Sequence, residues 1–417
     1  MSYFLLGPFA EYCQSGVGLD YFSSVEVSCL PLQRATSTAS SIKKNSWNRA
    51  VSDAEELVGY PTSLMSVRAL MDDDFANIAV HMRKLIGSEH PVLHTVKRLV
   101  YQGKNKMQLR GLLMLLLSRA AGHEAGCEVD PATGIMEKQR KLAEIVEMIN
   151  TGQAIHQSVV NLPVNIASEP DEDIRSILLQ LEYGNKISIL GGDYLLANAS
   201  TGLASLRIPK IVENVSIAIA EFTQAEFLGL QDPQVLHYEV SCVLIFLSFC
   251  SFQGRVIPSS DQLTNIESWE TRARLGTGSL LAAGCHGVML LAGRDEETQT
   301  RARELGHSLA IRAHDEKIMF TEDGGVTAAG ASFSLATLPV LLHLQRDPKL
   351  LEHIRGHSDD PSRVNFRRVH DAVSGGEAMT ATSALCEQYV DRSLNILKQF
   401  GDNDATVAIE KIATSIV

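Results

Sequence analysis

The stretch GLLMLLLSRA at residues 111–120 decides the fold class, because it would be apolar on nearly every side of a helix. A helix without a polar face must be surrounded by other elements, so this stretch predicts a helix in the middle of a large bundle. Apolar residues recur at helical spacing on both sides of it. They form two stripes: Phe75, Ile78, Ala79, Met82, Leu85 and Ile86, then Leu142, Ile145, Val146 and Ile149.

The pattern is helical almost throughout from about Ser46 onward. Runs of alternating apolar and polar residues flanked by turn residues are absent, which argues against a sheet-based nucleotide fold. No internal repeat of 20 to 50 residues is visible, so a solenoid is not expected. The sequence predicts one large all-α domain over residues 51–417, preceded by an N-terminal extension over residues 1–50.

The charge balance excludes several classes of function. Among 417 residues, 37 Lys and Arg stand against 49 Asp and Glu, a net charge of −12, so no nucleic-acid partner is expected. The seven cysteines are scattered and contain no Cys-x-x-Cys pair, which fits neither a disulfide framework nor a zinc site. No apolar run reaches the roughly 18–20 residues that span a bilayer, so we do not expect an integral membrane protein.

Common catalytic signatures such as the P-loop, H-E-x-x-H and G-x-S-x-G are missing. Two acidic runs have structural explanations: residues 72–74 precede an amphipathic helix, and residues 171–173 are expected in a solvated polar loop. A third run, residues 314–316, cannot converge on one metal ion, because consecutive residues of a helix point about 100° apart.

Three stretches, taken together, resemble the trans-prenyltransferases of the long-chain polyprenyl diphosphate synthase family. They are residues 139–161 (QRKLAEIVEMINTGQAIHQSVVN), 184–200 (GNKISILGGDYLLANAS) and 275–313 (LGTGSLLAAGCHGVMLLAGRDEETQTRARELGHSLAIRA). The pattern G-N-K-x-x-x-x-x-G-D-x-L-L-A-x-A is the most specific part, and the resemblance covers roughly residues 50–417. It implies an all-α bundle of the isoprenoid synthase type.

The resemblance also implies a chemistry. The family ionises an allylic diphosphate and adds isopentenyl diphosphate to the cation, with Mg²⁺ held on two Asp-Asp-x-x-Asp motifs. The i, i+1, i+4 spacing of each motif places its carboxylates on one face of a helix.

Both motifs have lost their carboxylates here. The first should begin after His156, but its aspartate positions are Gln157, Ser158 and Asn161. The second should start at Lys317, and its positions are Lys317, Ile318 and Thr321. Amides and hydroxyls bind Mg²⁺ far less well than carboxylates do, and a lysine repels the ion. We therefore expect no catalytic residue, metal or cofactor on this chain.

The family's diphosphate contacts are reduced as well. Where the family has Gly-Lys-x-x-Arg-Pro, residues 106–111 read KMQLRG and keep only Arg110. Asn150 stands where the family has His or Gln, and Gly276 replaces the lysine of a Lys-Thr pair, leaving Thr277. Arg110 and Thr277 are the remaining candidates for substrate binding.

This chain keeps the scaffold residues of the family and lacks its catalytic aspartates. It therefore resembles a non-catalytic subunit of a heteromeric decaprenyl-type synthase, the enzyme that makes the ubiquinone side chain. The resemblance implies a catalytic partner in a heterodimer or heterotetramer, Mg²⁺ on that partner, and a location in mitochondria, in the matrix. The N-terminal extension is a possible targeting segment, although Glu11, Asp20 and Glu26 depart from the acid-poor composition of a transit peptide.

The same resemblance places the helix over residues 184–200 near the subunit interface. Small residues permit close approach of helices and leucines supply apolar area. The candidate contacts are Gly191, Gly192, Leu195, Leu196 and Ala199. The alternative is that these residues pack inside their own chain.

Two competing hypotheses concern the activity of the whole chain. It could be an active homomeric prenyltransferase that uses Asp315 and Glu316 with the acids of the loops, or a non-enzymatic isoprenoid carrier without a synthase partner. One segment also departs from the family, because residues 240–253 (VSCVLIFLSFCSFQ) form an apolar insertion where the family has a polar loop. A retained intron is our first interpretation of this insertion, followed by a membrane-surface element or an extra core helix.

Overall fold

The structure is a computed structural model and describes residues 37–60, 90–93, 95, 109–160, 162, 165–227, 264–313, 320, 326–327, 330–331, 333, 335–357 and 364–415. The helical stripe at residues 75–86, the second-motif positions Lys317, Ile318 and Thr321, and the insertion at residues 240–253 lie outside these ranges.

The chain divides into two compact units, residues 1–45 and 46–417. The division predicted at residue 50 stays a prediction, and α1 runs through that position because it begins at Ser37. Helices follow one another along the described chain: α1 Ser37–Val58, α2 Leu109–Ala121, α3 Glu137–His156, α4 Glu172–Leu206, α5 Pro209–Phe227, α6 Ile266–Ala273, α7 Ser279–Leu291, α8 Glu296–Ala313, α9 Leu338–Leu344, α10 Pro348–Arg355, α11 Phe366–Ser374, α12 Ala378–Leu397 and α13 Asp404–Ser415.

Shorter elements connect some of these helices. A 3-10 turn at Ile166–Ser168 precedes α4, a π-helix at Arg274–Gly278 joins α6 to α7, and a 3-10 turn at Lys398–Phe400 follows α12. The strands β1 (Val326–Thr327) and β2 (Gly330–Ala331) pair antiparallel, with Val326 opposite Ala331. Helix dominates the described residues, so the prediction of an all-α fold is confirmed.

The helix α2 lies in the middle of the bundle, as its sequence predicts. Residues 112–117 are each at most 3% exposed. They belong to one large core cluster that takes apolar side chains from α1, α3, α4, α5, α7, α8, α12 and α13. A second cluster joins Phe320 and Phe333 to the apolar sides of α9, α10 and α11.

The acidic run at residues 171–173 begins a helix and does not form a loop, which corrects that prediction. The Asp171 side chain caps α4 by accepting hydrogen bonds from the backbone N–H groups of Asp173 (2.9 Å) and Ile174 (3.2 Å). Carboxylates in the first turn are favoured by the helix dipole, so the run marks the start of α4. All three acidic residues remain exposed, as expected.

Candidate functional site

The helix α3 ends at the place where the first aspartate motif would begin. Its last residue is His156, and Gln157 is the C-cap. The next two amides make short-range turn contacts, from Ser158 N–H to Ile155 O and from Val159 N–H to His156 O. Residues 157–160 are therefore not helical. Side chains at i, i+1 and i+4 share a face only while a helix continues, so this position lacks the backbone geometry as well as the carboxylates.

Contacts within the chain hold the residues at the predicted position of the first motif. Ser158 is 3% exposed, and its Oγ lies 2.8 Å from Thr95 Oγ1. The Val160 N–H donates to Asn185 Oδ1 (2.8 Å), and Asn185 Nδ2 donates to the Val160 carbonyl (2.7 Å). Gln157 is exposed, and Asn161 lies outside the described residues. The Ser158 side chain thus packs into the chain rather than facing a metal.

The described residues do not fit a Mg²⁺ site. Within the ranges given above, no three His, Cys, Asp or Glu side chains come together in a way that could hold a metal ion. The finding covers Gln157 and Ser158. It does not extend to Lys317, Ile318 and Thr321, which lie outside those ranges.

Arg110, the retained diphosphate candidate, lies beside a buried carboxylate. Glu147 of α3 is 0% exposed, and its Oε1 accepts a hydrogen bond of 2.7 Å from the Gly111 N–H. Burial raises the pKa of Glu147 to about 7, although the Gly111 hydrogen bond and the charge of Arg110 both favour the ionised form. Burial also lowers the pKa of Arg110, while the charge of Glu147 acts in the opposite direction. Arg110 therefore has an acidic neighbour within the chain, and the pKa of about 7 means that this neighbour is fully ionised only above neutral pH.

Glu147 is a residue that the sequence analysis missed. Helical spacing did not single it out, because both Glu144 and Glu147 lie between Leu142 and Ile149 and neither occupies a position of the apolar stripe. The substitution of the family's proline by Gly111 fits this contact, because proline has no N–H to donate to Glu147.

Thr277, the other substrate candidate, lies in the π-helix between α6 and α7. Gly276 stands at the lysine position, where a Cβ atom would lie 3.3 Å from Ala225 Cβ of α5. At Gly278, a Cβ would lie 2.8 Å from His307 Nδ1. Glycines thus allow this segment to pack closely on its neighbours. Thr277 and Arg110 stay predictions as substrate contacts.

The five candidate interface residues face different surroundings. Leu195 is 0% exposed and Ala199 is 1% exposed, and both belong to core clusters of this chain. Gly191 and Gly192 are buried as well, and a Cβ at Gly192 would overlap the His156 ring. Leu196 is half-buried against the main core. Burial of the other four agrees with the alternative that they pack inside their own chain, and the interface assignment of the set stays a prediction.

The opposite side of α4 carries the exposed apolar surface. Leu179, Ile189 and Leu190 are 47–52% exposed, and Ile217 of the adjacent α5 is 46% exposed. These four account for most of the large exposed apolar side chains among the described residues, and the others are Val129 and Val407. We call these four residues the α4–α5 face. The burial pattern identified it, because small-residue spacing alone cannot tell which side of a helix is covered.

The helices of the described ranges are all too short or too polar to cross a membrane. This finding does not include residues 240–253.

Comparison with known proteins agrees with this all-α architecture. The fold resembles that of a polyprenyl synthase from Caulobacter crescentus, solved with calcium and isoprenyl diphosphate: the TM-score is 0.58 at 21% identity, covering 89% of this chain and 98% of that one. A decaprenyl diphosphate synthase from Rhodobacter capsulatus gives a TM-score of 0.54 at 19% identity, covering 86% and 98%. The chain therefore has the trans-prenyltransferase fold.

Sequence relatives then define the family. The chain is 33% identical over 379 residues to the all-trans-polyprenyl-diphosphate synthase PDSS2 of Homo sapiens, covering 89% of this chain and 87% of the human protein. It is 25% identical to decaprenyl-diphosphate synthase subunit 1 of Schizosaccharomyces pombe (86% and 92% covered) and 24% identical to a probable mitochondrial hexaprenyl pyrophosphate synthase of Yarrowia lipolytica (89% and 88%). No protein-family profile matches. The chain belongs to the trans-polyprenyl diphosphate synthase family.

Proposed function

We propose that this chain is the non-catalytic subunit of a heteromeric all-trans polyprenyl diphosphate synthase. The end of α3 at His156 carries the proposal, because it removes the helical frame of the first metal site where the carboxylates are also absent. The relative in Schizosaccharomyces pombe bears the name of a synthase subunit, which supports a multi-subunit enzyme.

In the proposed assembly, the catalytic partner holds Mg²⁺ on its own aspartates and binds both diphosphates. The metal would neutralise the leaving diphosphate there. This chain would supply the α4–α5 face, stabilise the partner and help to set product length. A decaprenyl-type product for ubiquinone and a place in the mitochondrial matrix are parts of the same proposal, supported by the names of the relatives that are called mitochondrial or decaprenyl.

Reconstitution tests the proposal. The chain alone, a catalytic synthase subunit alone, and the two co-expressed would be assayed for incorporation of labelled isopentenyl diphosphate with Mg²⁺. Activity is expected in the co-expressed sample and not in this chain alone. Mg²⁺-dependent turnover by this chain would refute the non-catalytic role and favour an active homomer. Prenyl-lipid binding by the chain, without any association with a synthase, would favour a carrier.

Restoring the three aspartates of the first motif is expected to leave the chain inactive. In the variant Gln157→Asp, Ser158→Asp, Asn161→Asp, the backbone at residues 157–160 is not helical, so the side chains do not share a helix face. Mg²⁺ titration by calorimetry and the synthase assay measure this. The control Gln153→Asp adds a single carboxylate within α3. Turnover by the triple variant would show that residues 157–161 still provide the frame of a metal site, and it would remove the argument from the end of α3.

Placing a charge on the α4–α5 face is expected to weaken association with the partner strongly. Leu190→Glu adds a carboxylate to an exposed position, so folding should tolerate it, while an apolar interface does not. The affinity should fall by a factor of about 30 or more, with an unchanged melting temperature.

Val407→Glu is the matched control, because Val407 is an exposed valine on α13 rather than on α4 or α5. Co-purification and light scattering report the complex. If Leu190→Glu and Val407→Glu bind the partner equally well, the α4–α5 face is not the interface.

A further inference from the structure

We propose that α4 couples docking of the partner subunit to the conformation of residues 156–160, with Asn185 as the positioning residue. The proposal rests on the proposed function and adds a regulatory role to it. The segment that replaced the first metal motif becomes an element that responds to the partner.

The Asn185 side chain pairs with the backbone of Val160 at both of its polar groups. Its Oδ1 accepts from the Val160 N–H at 2.8 Å, and its Nδ2 donates to the Val160 carbonyl at 2.7 Å. A carboxamide that binds the N–H and C=O of one residue acts as a neighbouring strand would. The position of Val160 is thus set by α4, although the two residues are 25 positions apart.

His90 fixes the Asn185 side chain in this orientation. The Val92 N–H donates to His90 Nδ1 at 3.1 Å, so Nδ1 is unprotonated and Nε2 carries the hydrogen. His90 Nε2 lies 3.1 Å from Asn185 Oδ1 and donates to it. Gly184 makes room for the imidazole, since a Cβ at that position would lie 2.2 Å from His90 Cδ2. The carboxamide is held before any partner binds.

His156 supplies a second connection to the same part of α4. Its Nε2 lies 3.2 Å from the Ile189 carbonyl and 3.3 Å from Asp193 Oδ1. The ring fits against Gly192, which has no side chain to displace it. Both ends of the segment 156–160 are therefore attached to one stretch of α4, between Asn185 and Asp193.

That stretch of α4 also carries Ile189 and Leu190, two of the four residues of the α4–α5 face. Ile189, Leu190 and Asp193 are all exposed there. Ile189 offers its side chain to the outside while its carbonyl binds His156. A partner that covers these side chains restricts the motion of this stretch, and the hydrogen bonds of Asn185 and His156 pass the restriction to residues 156–160.

Hydrogen exchange of the whole chain, free and in complex with the catalytic subunit, tests the coupling. Amide exchange at residues 158–160 is expected to slow by about tenfold when the partner binds. In Asn185→Ala, the complex should form with unchanged affinity, but the slowing at residues 158–160 should be lost. Ser200→Ala is the matched control, because Ser200 is an exposed residue of α4 whose hydroxyl bonds to Leu196 O of its own helix.

The outcomes separate the two proposals. A complex that forms without any slowing at residues 158–160 overturns the coupling and leaves the proposed function intact. Failure to form a complex overturns both. If Asn185→Ala does not fold, Asn185→Asp keeps the acceptor Oδ1 and loses the donor to the Val160 carbonyl. An undiminished slowing at residues 158–160 in that variant also overturns the coupling.

Discussion

Replacement of Gly306 by valine is expected to unfold the chain or bring it close to unfolding. A Cβ atom at residue 306 of α8 would lie 2.7 Å from Ala282 Cα and 2.9 Å from Ala282 N of α7. Both are backbone atoms, so no side-chain rotation relieves the overlap, and the two helices must separate. The central core contains residues of both helices, among them Leu281 and Leu305. We expect a loss of about 3 kcal/mol or more in the free energy of unfolding.

Urea denaturation followed by circular dichroism measures this loss. Glu304→Val is the matched control, because residue 304 is exposed on the same helix and receives the same side chain. Glycine is a poor helix former, so intrinsic propensity favours valine at residue 306 and cannot account for a loss. Equal stabilities of the two variants would show that α7 and α8 do not pack as described.

The helices at the centre of the bundle could be predicted from the sequence, because the spacing of their apolar residues shows which sides are buried. Residues 112–117 allow no polar face, and Leu142, Ile145, Val146 and Ile149 of α3 are all buried as their spacing predicts. The family could also be predicted, because the G-N-K and G-D-x-L-L-A residues keep their order and spacing in α4.

The end of α3 could not be predicted in this way. No proline or glycine follows His156 directly, and residues 157–160 contain no other strong helix breaker. The helix ends where Asn185, a residue of another helix, binds the Val160 backbone. Pro163 and the polar residues of 161–173 predict a loop that begins only a few residues later, so the sequence places the end of α3 approximately and the structure moves it to His156.

The orientation of α4 could not be predicted from the sequence either. Glycine, alanine and leucine at residues 191–199 are compatible with packing inside one chain or between two chains. Close packing against α3 determines which side of α4 faces inward. A Cβ added at Gly152 of α3 would lie only 3.2 Å from the Gly192 carbonyl oxygen of α4. Once that side is covered, Ile189 and Leu190 necessarily face outward.

Replacement of Glu147 by glutamine is expected to remove a large pH dependence of stability. Burial raises the pKa of Glu147 from 4.5 to about 7 in the folded chain, so the folded state binds this proton more tightly than the unfolded state. The resulting stabilisation is fully present below about pH 4.5 and is lost as the pH rises to about 7. At about 1.4 kcal/mol for each unit of pKa, the rise from 4.5 to about 7 corresponds to a loss of roughly 3.5 kcal/mol.

Glutamine reproduces the protonated carboxyl at every pH. Its Oε1 can still accept from the Gly111 N–H, and its NH₂ group takes the place of an oxygen, Oε2, that has no hydrogen-bond partner among the described residues. The free energy of unfolding of Glu147→Gln relative to the wild type should therefore rise by about 2.5 kcal/mol between roughly pH 5 and pH 8. Urea unfolding at several pH values measures the difference. Glu137→Gln is the matched control, since Glu137 is exposed in the first turn of the same helix, and it should follow the wild type. If the two variants show the same pH profile, Glu147 titrates like an ordinary surface carboxyl and the buried environment described for it is wrong.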